Sequence, residues 1–545
     1  MNEQQNPYYS ADPAGQAQTA YQTPAQTTYQ APNQAPYRTP DQITYQTPTA
    51  KKTVREFTKK EKILVPVAVL AGYVFCRTFF VWQNPVLALV FIIFLFAFGF
   101  VFFGNRQRKP RSYFYPVSAL VVASGLFLSC SPVLLLFELT YSLIAFFMFC
   151  QTGSETALED HAGQLYVFET VKALFFSPFR NITASVQSIG SNKGGKKIGK
   201  TLLFVMAGIG VTIIPTAVVF WLLSYDMAFY EILEKITNSV FDEIVSRFWA
   251  LFFGIPLGMF FYAAAYTGAH PSQDKFNSEN CIKIENKIKF MPAVVGAVAL
   301  VPMLFLYIVF IIAQLDYYKA VFTGVLPDAF TYAEFARDGF FRLCAVAAIN
   351  AAALILIRIF TKKTAGGKIS PVVKISTVIL SLVTVIISVT AISQMLMYVS
   401  AYGLTRFRLY TLWFMALICL LFILAILKQF IDKLPFAASA LVIFAVCFGL
   451  LAVPDTDAFI AGHNYNCYVS GSTNELDVNY LQELGPSAIP TVIRVAENES
   501  MDRLLREHAE KVIATFVTCH SDESVYAMNL PYIRAINACK EYKKD

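Results

Sequence analysis

The chain has 545 residues, 56% of them hydrophobic and 15% charged, with a mean hydropathy of +0.50. An ordinary soluble domain carries about a quarter charged residues, so this composition excludes that class and points to a membrane protein. The net charge of +7 calls for no nucleic-acid partner, because most of the excess Lys and Arg falls in loops on one side of the membrane, where topology explains it.

Residues 1–50 are rich in Gln, Thr, Pro, Tyr and Ala and nearly free of aliphatic side chains. They cannot bury enough apolar surface to fold, and a disordered cytoplasmic tail is expected. Tyr21, Tyr29, Tyr37 and Tyr45 recur within Tyr-x-x-Pro repeats. Two readings stand: a tandem docking site for a cytoplasmic partner, and a low-complexity spacer.

Residues 51–453 read as a multi-pass transmembrane domain. About 11 apolar windows are each long enough to cross roughly 30 Å of hydrocarbon as a helix. They fall near residues 63–82, 85–104, 113–130, 132–150, 201–223, 248–268, 290–313, 340–360, 371–398, 409–427 and 435–453. Only Ser131 and Pro132 separate the third from the fourth. The segments 51–62, 105–112, 191–200 and 361–368 are strongly basic, which places them in the cytoplasm; the intervening loops 224–247 and 315–339 are acidic overall. The N-terminus is therefore expected inside and the C-terminus outside. A polar segment precedes the first span, so no cleavable signal peptide is expected.

Between residues 151 and 200, Leu158, Leu165, Phe168, Val171, Leu174 and Phe175 recur at helical spacing. Part of this loop is expected to lie along the inner membrane surface, with Ser177 and Pro178 ending the helix. The string GGKKIGKT at 194–201 fits a phosphate-binding loop in form only. That mechanism needs a buried strand before the loop, whereas a polar loop precedes this one; its lysines read as inner anchors that contact membrane lipids.

Residues 454–545 read as a small extracytoplasmic α-helical domain docked on the membrane part. Leu476, Tyr480, Leu481 and Leu484 share one helix face, with Asn474 as the expected cap. Cys467, Cys519 and Cys539 leave one disulfide open as an alternative. The fold class is thus all-α, a polytopic membrane helix bundle with a helical outer domain and a disordered N-terminal tail.

Charges within spans come next. Arg77 and Glu138 lie roughly 8 to 9 Å below the outer surface at 1.5 Å per residue, a depth at which they are expected to form an ion pair, either as a structural clamp or in an ion pathway. Asn350 and Gln394 are expected to bridge helices. The five histidines lack ligand spacing, and His463 with Asp455 and Asp457 is the only cluster to record; no metal and no cofactor are expected. No nucleophile elbow is present, and no catalytic residue is assigned.

Three strings converge on the outer face. Residues 326–343 hold Tyr332, Glu334, Arg337, Asp338 and Arg342; residues 401–410 hold Tyr402, Arg406 and Arg408; residues 453–471 hold Asp455 and Asp457. An outer loop with two arginines and no acid defies the charge rule unless acids elsewhere compensate it, and Glu334, Asp338, Asp455 and Asp457 are the candidates. Two readings follow: a structural network that holds the loops together, and a site for an anionic ligand such as a lipid headgroup, with Arg406 and Arg337 as fork-shaped donors.

The strings AEFARDGFFRL and AYGLTRFRLY, followed by FIAGHNY and LDVNYLQELGPSAIP, make roughly residues 60–500 resemble a family of bacterial multi-pass membrane proteins, domain of unknown function 4173, related to domain 4153. The resemblance implies a bacterial cytoplasmic (plasma) membrane location and carries no mechanism. The functional expectation is a non-catalytic envelope scaffold, sensor or binder of lipid or anionic ligands, with a transporter of a small molecule or lipid, or a membrane-embedded transferase acting on lipid-linked substrates, as alternatives.

Overall fold

The computed structural model describes residues 57–78, 84–104, 108–153, 157–189, 241–270, 277–313, 332–362, 370–519 and 529–543, with a few positions between 215 and 226; the side chains of 241–245, 297 and 332–339 are outside that description. Among the described residues every regular element is helical, apart from one isolated bridge between Met291 and Thr361. The Tyr-x-x-Pro tail, the GGKKIGKT string and nearly all of the expected span at 201–223 lie outside the described residues.

The first half packs around one close helix crossing. Helix α1 (Lys59–Cys76) starts with a capping box in which Thr58 N–H donates to Glu61 Oε2 and Glu61 N–H to Thr58 Oγ1. Helix α2 (Pro85–Phe103) follows, then α3 (Phe114–Ala123), a short α4 (Gly125–Leu128) and α5 (Pro132–Thr152). Ser129, Cys130 and Ser131 separate α4 from α5, so the two adjacent apolar windows are two separate helices. Next are α6 (Tyr166–Val171), a π turn at Lys172–Phe176, α7 (Ser177–Ile189) and α8 (Phe241–Ala269). A Cβ on Gly72 of α1 would sit 2.1 Å from the Gly254 carbonyl of α8, and one on Gly258 would sit 2.3 Å from the Ala68 carbonyl. The spacing Gly254-x-x-x-Gly258 therefore lets two backbones touch, the usual device where lipid supplies no hydrophobic drive between helices. Around that crossing Phe96, Phe146, Phe149 and Phe261 interlock edge to face.

Ser177 and Pro178 do not end the helix that begins at Tyr166, contrary to the sequence expectation. The chain widens into the π turn over 172–176 and continues as α7, because i→i+5 bonding re-registers the carbonyls that Pro178 cannot satisfy.

The second half comprises α9 (Ser278–Ile288), α10 (Ala293–Ala313), α11 (Tyr332–Phe360), α12 (Pro371–Tyr402), α13 (Arg406–Phe430) and α14 (Phe436–Ala452). Asn350 bridges three of these: it accepts from Tyr307 Oη at 2.6 Å and donates to Thr384 Oγ1 at 2.9 Å. Gln394 is buried, and its Oε1 accepts no hydrogen bond among the described residues. Val298, Phe305, Leu306 and Ile312 of α10 point outward, as a lipid-facing helix requires.

Eight described helical stretches, with Pro110–Leu128 (a 3-10 turn, α3 and α4) taken as one, are long and apolar enough to cross a membrane, and up to nine if α14 and the helix after it form one bent span. Helix α1 is not among the eight, because it opens with Lys59, Lys60, Glu61 and Lys62.

The chain closes with α15 (Thr456–Val469), α16 (Val478–Glu483), α17 (Ile489–Glu497), α18 (Arg503–Cys519) and α19 (Leu530–Tyr542). A 61° bend separates α14 from α15. Asp477, not Asn474, caps α16, accepting from Tyr480 N–H at 3.0 Å. One apolar core runs without interruption from Phe340, Ile387 and Met415 of the long helices to Ile460, Leu481, Val492 and Ala535 of the terminal ones. The described cysteines are all free thiols.

Candidate functional site

The site is assembled at the turn between α12 and α13. Gly403 ends α12 with φ +75°, a conformation that side-chain-bearing residues avoid. Thr405 then caps α13 by accepting from Arg408 N–H at 3.3 Å. Between them, Leu404 is held at both ends by one side chain: its N–H donates to Asn464 Oδ1 at 2.6 Å, and its carbonyl accepts from Asn464 Nδ2 at 2.9 Å. Asn464 lies on α15, so the terminal segment grips the turn by its backbone.

Arg406 completes the grip. Its Nε donates to Asp457 Oδ1 at 2.8 Å and its Nη2 to Oδ2 at 2.7 Å, a planar two-point pair. Asp457 lies in the first turn of α15, where the helix dipole favours an anion, and it has no exposed surface. The Arg406 N–H donates to Tyr480 Oη at 2.7 Å. Burial raises the Tyr480 phenol above its ordinary range, so it stays a neutral hydroxyl there.

Among the described residues Arg408 meets no acid. Its Nη1 donates to the carbonyls of Tyr402, at 2.9 Å, and Gly403, and its guanidinium stacks over Tyr398 at 4.3 Å. It thus sits on the negative end of the α12 dipole. Tyr402 is exposed and packs on Tyr398.

A second layer ties this turn to the first half of the bundle. Tyr410, one turn after Arg406, shares a 2.6 Å hydrogen bond with Ser131, just before α5. Asn529 caps α19, donates to the Ser129 carbonyl at 2.8 Å and accepts from the Cys130 thiol at 3.2 Å. Asp455 caps α15, accepting from Ala458 N–H at 3.1 Å.

Of the residues read from sequence, Arg406 and Asp457 meet directly, and Arg408, Tyr402 and Asp455 lie at the two helix ends on either side of them. The side chains of Glu334, Arg337 and Asp338 are outside the described residues; close by in sequence, Phe341 packs on Phe407 with ring centres 5.7 Å apart. The expected ion pair between Arg77 and Glu138 does not form: Arg77 Nη1 donates to Ser246 at 2.9 Å, while Glu138 Oε1 is buried with no hydrogen bond among the described residues. Equal depth did not suffice, because α1 turns its end toward α8, where Ser246 lies, and α5 packs Glu138 against Gly125. His463 Nε2 lies 3.5 Å from the Cys467 sulfur on its own helix and is not joined to the two aspartates; among the described residues no group of three ligands is placed to hold a metal. Asn464, Tyr480, Tyr410, Ser131 and Asn529 escaped sequence reasoning. Asn529 alone carried a signal, as Asn followed two residues later by Pro at a helix start.

The family model described as a domain of unknown function, DUF4153, matches residues 116–495. That range contains the turn, the arginine–aspartate pair and Tyr480, and ends before α18 and α19. No curated protein and no solved structure matches the chain.

Proposed function

This chain belongs to the DUF4153 family, and we propose that it is a non-catalytic scaffold or sensor of the cell envelope that holds its terminal helices as a rigid platform on the outer face of a bacterial cytoplasmic membrane. The observation that supports this most is the joint between the two parts: a shared core, the pairing of Arg406 with the buried Asp457 and the Asn464 grip on Leu404. A domain tethered for its own motion would have a polar, separable boundary instead. The eleven-span count, an inner N-terminus and the closer likeness to domain 4173 belong to this proposal, as does a cytoplasmic partner for the Tyr-x-x-Pro repeats.

On this reading Arg406 and Asp457 are spent on each other, and any binding of anionic lipid headgroups falls to the exposed Tyr402 and the half-buried Arg408. The test is amide exchange in phosphatidylcholine proteoliposomes with and without phosphatidylglycerol. Slower exchange over 402–410 in the anionic membrane supports the lipid-binding role, and identical exchange refutes it.

A transporter is the second reading, favoured by one observation: a buried carboxylate, Glu138, lies beside the end of α14, where the chain bends by 61°. A transferase has less behind it, since Asp455 caps a helix and Asp457 is paired with Arg406.

A further inference from the structure

Glu138 is 1% exposed and flanked on its helix by Leu134 and Ser142, both buried. The Ser142 hydroxyl donates to the Glu138 backbone carbonyl at 2.7 Å and so does not serve the carboxyl group. Oε1 has no hydrogen-bond partner among the described residues.

Another acceptor borders the same space as that oxygen. A Cβ added to Gly125 would lie 2.5 Å from Glu138 Oε1 and 2.5 Å from the Ala452 carbonyl oxygen. Both oxygens therefore look into the space that this glycine leaves. Ala452 is the last residue of α14, so its carbonyl lies at the negative end of the helix dipole, where carbonyls lack intrahelical donors. An ionised Glu138 would oppose a carbonyl and a helix C-terminus in an apolar setting, which disfavours the charged form. A proton on the carboxyl turns one of two facing acceptors into a donor.

The titratable and charged groups gathered at this end of the bundle include Tyr141 on α5 itself, Cys130 in the turn above, Arg406 and Tyr410 on α13, Asp455 and Asp457 at the α14–α15 bend, and Arg534 on α19, which acts on Asp455. Cys130 donates to Asn529, Tyr410 binds Ser131, Asp455 caps α15, and Arg406 and Asp457 hold each other. None of them hydrogen-bonds Glu138. The Ser131–Tyr410 hydroxyl pair lies two helical turns from it, roughly 10 Å at 1.5 Å per residue.

We propose that Glu138 is a proton-binding site of the membrane domain, its ligand a single proton exchanged with the face that carries the Arg406–Asp457 pair. The step is simple: the carboxylate takes up a proton, which the Ala452 carbonyl then accepts as a hydrogen bond, and releases it toward the Ser131 and Tyr410 hydroxyls. This inference stands apart from the scaffold reading, since a proton site at Glu138 needs no lipid bound at Tyr402 and Arg408.

The test is infrared difference spectroscopy of the full chain in lipid. A protonated-carboxyl band at neutral pH that bleaches reversibly at alkaline pH and is missing in Glu138→Gln supports the site. The same band in wild type and Glu138→Gln overturns it. Where Glu138→Gln does not fold, wild-type protein is treated with dicyclohexylcarbodiimide, which modifies protonated carboxyls in apolar surroundings, and its peptides are weighed. Modification at Glu138 that falls about tenfold or more from neutral to alkaline pH supports the proposal. Modification that does not change with pH, that is absent from the recovered Glu138 peptide, or that Na⁺ suppresses at constant pH overturns it, the last in favour of a metal cation.

Discussion

Arg406 and Asp457, 51 residues apart, meet through two parallel hydrogen bonds of 2.8 and 2.7 Å, and the carboxylate is wholly withdrawn from solvent. The pair joins the first turn of a long apolar helix to the first turn of the terminal segment, alongside the Asn464 grip and the shared core.

Removing one partner of such a pair leaves the other buried and unpaired. Arg406→Ala is expected to cost about 3–5 kcal/mol, visible as a lowered thermal unfolding midpoint in nanodiscs. Arg406→Lys keeps the charge but loses the fork and the bond to one oxygen, so it falls between wild type and alanine. A double variant, Arg406→Met with Asp457→Leu, is expected to recover most of the loss, because no charge is left stranded.

The turn is held by backbone as well as by charge. Asn464→Ala removes both bonds to Leu404, each worth about 1 kcal/mol, and leaves two buried backbone groups unsatisfied. Gly403→Ala adds a Cβ 2.9 Å from Asn464 Oδ1 at a backbone angle of φ +75°, and is expected to cost roughly 1–3 kcal/mol. Each change should speed amide exchange at 403–406 more than in α12 itself.

How much of this was legible in the sequence differs from element to element. The long apolar helices were, because hydrocarbon imposes an uninterrupted apolar length that any window detects. Asp457 and Arg406 were both visible as charges beside apolar runs, but their pairing was one of several open combinations. Among the described residues Arg408 meets helix-end carbonyls, which have no residue type to recognise. The same blindness applies to Glu138, whose neighbour is the Ala452 carbonyl. Depth along a helix is readable from sequence, whereas the direction a side chain faces around a bundle depends on which helices pack, and for α1 that was decided by the glycines at 72, 254 and 258.

Those glycines give a clean contrast. Gly258→Ala places a Cβ 2.3 Å from the Ala68 carbonyl and must push α1 off α8, which is expected to lower the unfolding midpoint sharply. Gly462→Ala, in α15, meets nothing within 4 Å and should stabilise that helix by up to about 1 kcal/mol. Parallel thermal melts of the two variants check both signs.

Asn529 latches the last helix to the turn between α4 and α5. Asn529→Ala loses a cap, worth about 1 kcal/mol, together with the bond to the Ser129 carbonyl. Limited proteolysis should then cut the chain near α19 faster than in wild type, while cleavage elsewhere in the bundle stays unchanged.

The most direct measurement of the central claim, that the terminal helices and the membrane bundle form one clamped unit, is hydrogen exchange of Asp457→Asn against wild type in nanodiscs. The account predicts that exchange rises together across α15, α16 and α17, since all three hang from the same joint and share its core. A rise confined to the first turn of α15, with α16 and α17 protected as in wild type, would contradict it and reduce the pair to a local helix cap.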